Sequence, residues 1–155
     1  MMKSEHVNAF LVAATSVLQT MCSLKLTPGT PYVKNTAFED DSVVICIGVT
    51  GQIRGQVLLA FKNEVACDIA SKMCMMTISE LDELSMSALS ELGNMILGNA
   101  ATVLSTHGVI VDITTPSIIQ GTFTIENTRV KNVCVPTTYD GDKLIEIDIS
   151  LEEAV

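Results

Sequence analysis

The sequence has no Trp, only two Tyr and four Phe, two His, and half as many basic residues as acidic ones, nine Lys and Arg against 18 Asp and Glu. Each scarcity excludes something. With so few aromatics in a chain that is 48% hydrophobic, the core must be built from aliphatic and methionine side chains. A net charge of −9 opposes binding to nucleic-acid phosphates or to anionic lipid. No apolar run reaches the roughly 18 residues of a membrane span. The opening MMKSEHVNAF sets Glu5 and His6 where a signal peptide turns apolar. A soluble, cytoplasmic protein is expected, with neither nucleic acid nor membrane as partner.

The five cysteines, Cys22, Cys46, Cys67, Cys74 and Cys134, are odd in number and form no CxxC pair. A disulfide framework would call for an even set, and a zinc site for paired ligands near His. They are expected to pack as small buried hydrophobes. His6 and His107 lie far apart, so neither supports a local nucleophile pair, and a surface or capping role is expected for both.

Periodicity divides the 155 residues into helices and strands without a linker. Val7, Phe10, Leu11, Ala14, Val17, Leu18 and Met21 follow helical spacing, predicting a first helix over residues 4–24 with Ser4 as N-cap. DSVVICIGVTGQIRGQVLLAF reads as a hairpin joined at Thr50-Gly51. Asn63 is expected to cap a second helix to about Lys72, and Thr77 with Glu80 has capping-box spacing for a longer third. VIVDITTPSIIQGTFTI, TRVKNVCVPTT and KLIEIDISLE then read as strands, the last following a turn at residues 139–142. The expected fold is α+β: one domain over residues 1–155, with a largely antiparallel β-sheet packed with three α-helices.

The third helix carries an odd face. In SALSELGNMILGNA, Ser87, Glu91, Asn94 and Gly98 step by four, three and four and share one stripe, opposite the apolar Leu89, Leu92, Ile96, Ala100 and Val103. A solvated helix surface is the simplest reading. Against it, Gly93, Asn94, Gly98 and Asn99 fall within seven residues, although each mid-helix Gly costs about 1 kcal/mol relative to Ala. A helix built this way suggests that another backbone or side chain comes close.

The order Ser87, three residues, Glu91, two residues, Asn94, twenty-one residues, Pro116 resembles the signature of the CheC, CheX and FliY phosphatases of bacterial chemotaxis. EHVNAF at the first helix and VTGQIRGQVLLAF are also similar to CheX proteins. A second Glu5-x-x-Asn8 lacks its partners, because Met1 stands where Asp or Ser belongs and Thr30 where Pro belongs. One motif favours a CheX-type protein over the usually two-site CheC type.

That resemblance implies a CheC/CheX-like fold and hydrolysis of the aspartyl phosphate on a CheY-like response regulator. It implies that Glu91 pairs with the receiver's active-site Lys and that the Asn94 amide orients the attacking water. Ser87, Gly98 and Pro116 would support the site, Pro116 at its rim. Mg2+ would belong to the receiver, with no cofactor or metal on this chain, and a homodimer would form through the β-sheet. An acyl phosphate is already reactive, so placing one water in line needs no Ser, Cys or His nucleophile. The alternative is a non-catalytic module that binds a receiver or a flagellar-switch partner through the same face.

Overall fold

The computed structural model describes residues 3–126 and 130–154. The chain runs through α1 (Ser4–Cys22), three short strands β1 (Thr27–Pro28), β2 (Tyr32–Val33) and β3 (Ala37–Phe38), and the long hairpin β4 (Ser42–Gly51) and β5 (Ile53–Lys62). Two helices follow, α2 (Asn63–Cys74) and α3 (Glu83–Thr106), then β6 (Val111–Ile113), β7 (Ser117–Gln120), β8 (Phe123–Thr124), β9 (Val133–Tyr139) and β10 (Lys143–Glu153). The main sheet has the order β1-β9-β10-β5-β4-β6, with β2 also on β9 and β7 also on β4. Its pairings are antiparallel. The expected α+β class with three helices and a largely antiparallel sheet is the one observed.

Strand alternation decides which side the helices cover. Val43, Ile45, Ile47 and Val49 of β4 join Val57, Leu59 and Phe61 of β5 and Ile145, Ile147, Ile149 and Leu151 of β10 in one core. Onto that face pack Phe10, Ala14 and Leu18 of α1, Ala66 and Ile69 of α2, and Leu89, Leu92, Ile96 and Leu97 of α3. On the opposite face, Val44, Leu58 and Ala60 are covered by Phe38 of β3 and Phe123 of β8, whose rings lie 5.1 Å apart.

Several local expectations are corrected. Lys3, not Ser4, is the extended N-cap of α1, and Lys62, not Asn63, that of α2; neither makes a side-chain cap bond. α1 stops at Cys22 because Ser23 turns left-handed. α3 starts five residues after Thr77-Ile78 would begin it. Ile78 is buried, and its N–H donates to Ser71 Oγ at 2.9 Å, which ties this segment to the end of α2. The capping box is Asp82 with Ser85: Ser85 N–H donates to Asp82 Oδ1 at 2.9 Å and Asp82 N–H to Ser85 Oγ at 2.6 Å. Residues 109–125, read as one strand run, break into β6, β7 and β8. His107 does cap α3, but His6 is buried, not at the surface. Cys22 and Cys134 are buried as expected, whereas Cys46, Cys67 and Cys74 are half-buried. No helix among the described residues is long and apolar enough to cross a membrane.

One buried charge-bearing group stands on the sheet face away from the helices. Asp148 of β10 is fully buried; Asn132 Nδ2 donates to its Oδ1 at 3.1 Å, while Oδ2 has no hydrogen-bond partner among the described residues. Desolvation raises its pKa above the ordinary carboxylate value. Below that ordinary value, both folded and unfolded chains hold the proton and the site costs nothing. As pH rises past it, the unfolded chain ionises first and folding loses stability until the folded pKa is passed. Asp148→Asn is therefore expected to melt above the wild type at pH 7, with the gap closing as thermal melts are run toward about pH 4. A gap that persists or widens in acid would contradict this.

Candidate functional site

The sequence stripe is a real surface. Ser87, Glu91, Asn94 and Gly98 are exposed on α3, while Leu89, Leu92, Gly93, Ile96, Leu97 and Ala100 beneath them are buried. Among the described residues, no hydrogen bond or ion pair engages the Glu91 carboxylate or the Asn94 amide. Ser87 likewise makes no bond across the stripe to Glu91. Glu91 and Asn94 are three residues apart and so separated by about 4.5 Å along the helix axis. They form a carboxylate and a carboxamide on one rigid element, free of internal partners.

The turn that carries Asn94 is held by its neighbour. Gly93 faces the sheet, where an added Cβ would lie 2.9 Å from Ile45 Cγ2, 3.2 Å from Pro116 Cγ and 3.4 Å from Ile47 Cδ1. Only a residue without a side chain lets α3 settle this closely on β4. Pro116 thus reaches the turn beside Asn94 from twenty-two residues away in sequence.

A β-bulge delivers that proline. β6 pairs Ile113 with Val49, and β7 pairs Ser117 with Cys46, so Thr115 and Pro116 together stand opposite the single Ile47. Thr114 closes the bulge: its N–H donates to the Gly48 carbonyl at 2.9 Å, and its Oγ1 accepts from Gly48 N–H at 2.8 Å. Gly48 is needed there, since a Cβ would meet Thr114 Cγ2 at 2.9 Å. Proline suits the extra position because it has no N–H to leave unpaired, and bulges re-aim side chains beside sites. Sequence reading placed Pro116 at the rim of the site but missed Gly48 and Thr114. The TTP interruption of an otherwise β-branched run was their only signal.

The site has no nucleophile pair and little ligand chemistry. Glu91 is the one carboxylate on the stripe. Among the described residues, one group of possible metal ligands, Cys134, Glu146 and Asp148, brings its atoms within 4.8 Å of one another. It lies on β9 and β10, facing away from α3, and its Glu146 is already paired with Lys34. Glu5 and Asn8 are exposed at the start of α1, apart from the α3 stripe.

The two glycines of α3 differ in what surrounds them. Gly98 is exposed, with nothing within 4 Å of an added Cβ, whereas Gly93 is enclosed. Gly98→Ala is expected to stabilise the fold by up to about 1 kcal/mol, the helix-propensity difference. Gly93→Ala should destabilise it by about 1–3 kcal/mol by overpacking against Ile45. Urea unfolding of the two variants checks the opposite signs, and like signs would refute the distinction.

Comparison with known proteins bears on what this geometry serves. Residues 43–138 match the family model described as chemotaxis phosphatase CheX. The chain is 34% identical over 121 residues to the CheY-P phosphatase CheX of Thermotoga maritima, covering 77% of this chain and 78% of that protein. In structure it is similar to a CheC-like superfamily protein from Shewanella sp. PV-4, with a TM-score of 0.87 at 28% identity over 97% of this chain and 99% of that one. It is also similar to a chain of the CheX-CheY-BeF3-Mg2+ complex from Borrelia burgdorferi, with a TM-score of 0.82 at 30% identity over 96% and 98%. With the family model spanning more than half of its residues, the chain belongs to the CheX family of chemotaxis phosphatases.

Proposed function

We propose that the protein hydrolyses the aspartyl phosphate of a CheY-like response regulator, presenting Glu91 and Asn94 on α3 to the receiver's active site and ending the signal. The observation that carries this reading is that both side chains are exposed and unengaged on a turn fixed by Gly93 and Pro116. It is supported by the activity in the Thermotoga relative's name and by the Borrelia chain's presence in a complex with CheY, BeF3 and Mg2+.

In this reading Glu91 pairs with the receiver's Lys, and the Asn94 amide holds one water in line with phosphorus. The water oxygen forms a bond to phosphorus as the bond from phosphorus to the aspartyl oxygen breaks. The receiver's carboxylate and inorganic phosphate leave, the water's proton going to the phosphate or solvent. The protein's contribution is position, because the mixed anhydride supplies the reactivity. Ser87 and Gly98 flank the pair, Pro116 shapes its rim, and Mg2+ is held by the receiver. We place the reaction in the cytoplasm, where half-buried free thiols persist.

Asn94→Ala should keep the fold, since the side chain is exposed, and slow phosphate release on the order of 100-fold. Glu91→Ala should also raise KM, because it removes a charge pair with the receiver. Phosphate loss from an acetyl-phosphate-loaded CheY-type receiver measures both. A decay rate unchanged by the wild-type protein would reject the enzyme, and a fully active Asn94→Ala would reject that residue's role.

We also propose a homodimer formed through the sheet. Among the described residues β6 and β7 pair only with β4, so their outer edge offers backbone groups to a second copy. Light scattering at micromolar concentration should give about twice the 16.6 kDa chain mass. A mass of one chain throughout would reject the dimer and leave the phosphatase reading intact.

A further inference from the structure

One apolar side chain on the α3 surface is used neither by the core nor by the proposed reaction. Leu84, in the first turn of α3, is 52% exposed. It precedes Glu91 by seven residues, which on a helix is two turns to within about 20°. Leu84, Ser87, Glu91, Asn94 and Gly98 therefore lie within one stripe about 80° wide, with Leu84 and Asn94 at its two edges. The helix start does not need it, because Asp82 and Ser85 form the cap. In the first turn an acidic residue would serve the helix dipole better than leucine.

We propose that Leu84 is the apolar anchor of the surface that docks the receiver, an inference that rests on the function proposed above. Leu84 lies about 10 Å from Glu91 and about 15 Å from Asn94 along the axis. Both distances fall inside a standard protein interface of about 800 Å² per partner, which is roughly 30 Å across if round. Between Leu84 and Glu91 the surface carries Ser87 and half-buried Ala88, both small, so nothing projects to hold a partner off. Beyond Asn94 the open space over Gly98 leaves clearance at the other end. The footprint thus has an apolar contact two turns before Glu91 and bare backbone one turn after Asn94. Apolar anchors at interfaces act on binding, whereas the reacting pair acts on turnover.

The test is steady-state phosphate release as a function of phosphorylated CheY-type receiver concentration, together with titration of the same receiver loaded with BeF3 and Mg2+. For Leu84→Ser, KM and the dissociation constant should each rise about five- to tenfold with kcat unchanged. Leu84→Met should stay near wild type. Leu84→Gln, which suits a helix better than Ser, repeats the measurement should the serine variant lose helicity by circular dichroism. Leu144→Ser, an exposed leucine on the sheet face away from the helices, should leave both constants unchanged. If wild-type protein does not accelerate phosphate loss, the proposed function itself fails. If it does and the Leu84 variants keep wild-type KM and affinity, or lose kcat alone, the anchor is overturned and the phosphatase stands.

Discussion

The close approach of α3 to β4 at Gly93 is the constraint on which the site depends. A single added carbon there would fall within 2.9 Å of Ile45 and 3.2 Å of Pro116. Because α3 has its next buried contacts at Leu92, Ile96 and Leu97, the depth at Gly93 also sets how the helix is rotated. Rotation decides which residues face outward. Glu91 and Asn94 point to solvent because the opposite side of the same turns is pressed into a sheet with no slack.

This arrangement separates rigidity from reactivity. The groups that fix α3 are apolar or belong to its cap, while the groups available for chemistry have no partner among the described residues. A side chain locked into an internal hydrogen bond would have to break it before engaging a partner. Glu91 and Asn94 carry no such penalty, and their backbone is ordered before any encounter, which is the condition under which positioning alone accelerates a reaction. Most of the ordering cost is met when the domain folds.

Sequence reading found what depends on local periodicity. The stripe on α3, the β4–β5 hairpin and the alternation of β10 were all legible, because each repeats a fixed spacing over many residues. The resemblance of Ser87, Glu91, Asn94 and Pro116 to a chemotaxis signature added the reaction, which no spacing supplies. What stayed hidden depends on tertiary contact. Thr77 and Glu80 have capping spacing but lose to Asp82 and Ser85, because burial of Ile78 and its bond to Ser71 hold the intervening residues. His6 looks like a surface residue in a run of polar neighbours, yet it faces inward on α1. Residues 109–125 read as a single β run although no period of two survives across Thr115 and Pro116. Val111 and Ile113 face the helices on one side of the bulge, Ile118 on the other, so odd positions give way to even ones.

That change of parity has a consequence for chain length. The bulge acts as a phase shifter: it is one residue long, and it is why Pro116 and Ile118 look toward α3 at all. Deleting a single residue from the TTP segment would remove the bulge and leave an unbroken ladder in which Ile113 and Ile118, then four residues apart like Val49 and Ile45, still face the helices, but the doubled position that seats Pro116 would be gone. Losing two would set Ile113 and Ile118 three residues apart, an odd number, so that both could no longer face α3 in one ladder. The length of the segment, as much as its composition, therefore decides whether the doubled position that brings Pro116 against Gly93 exists at all.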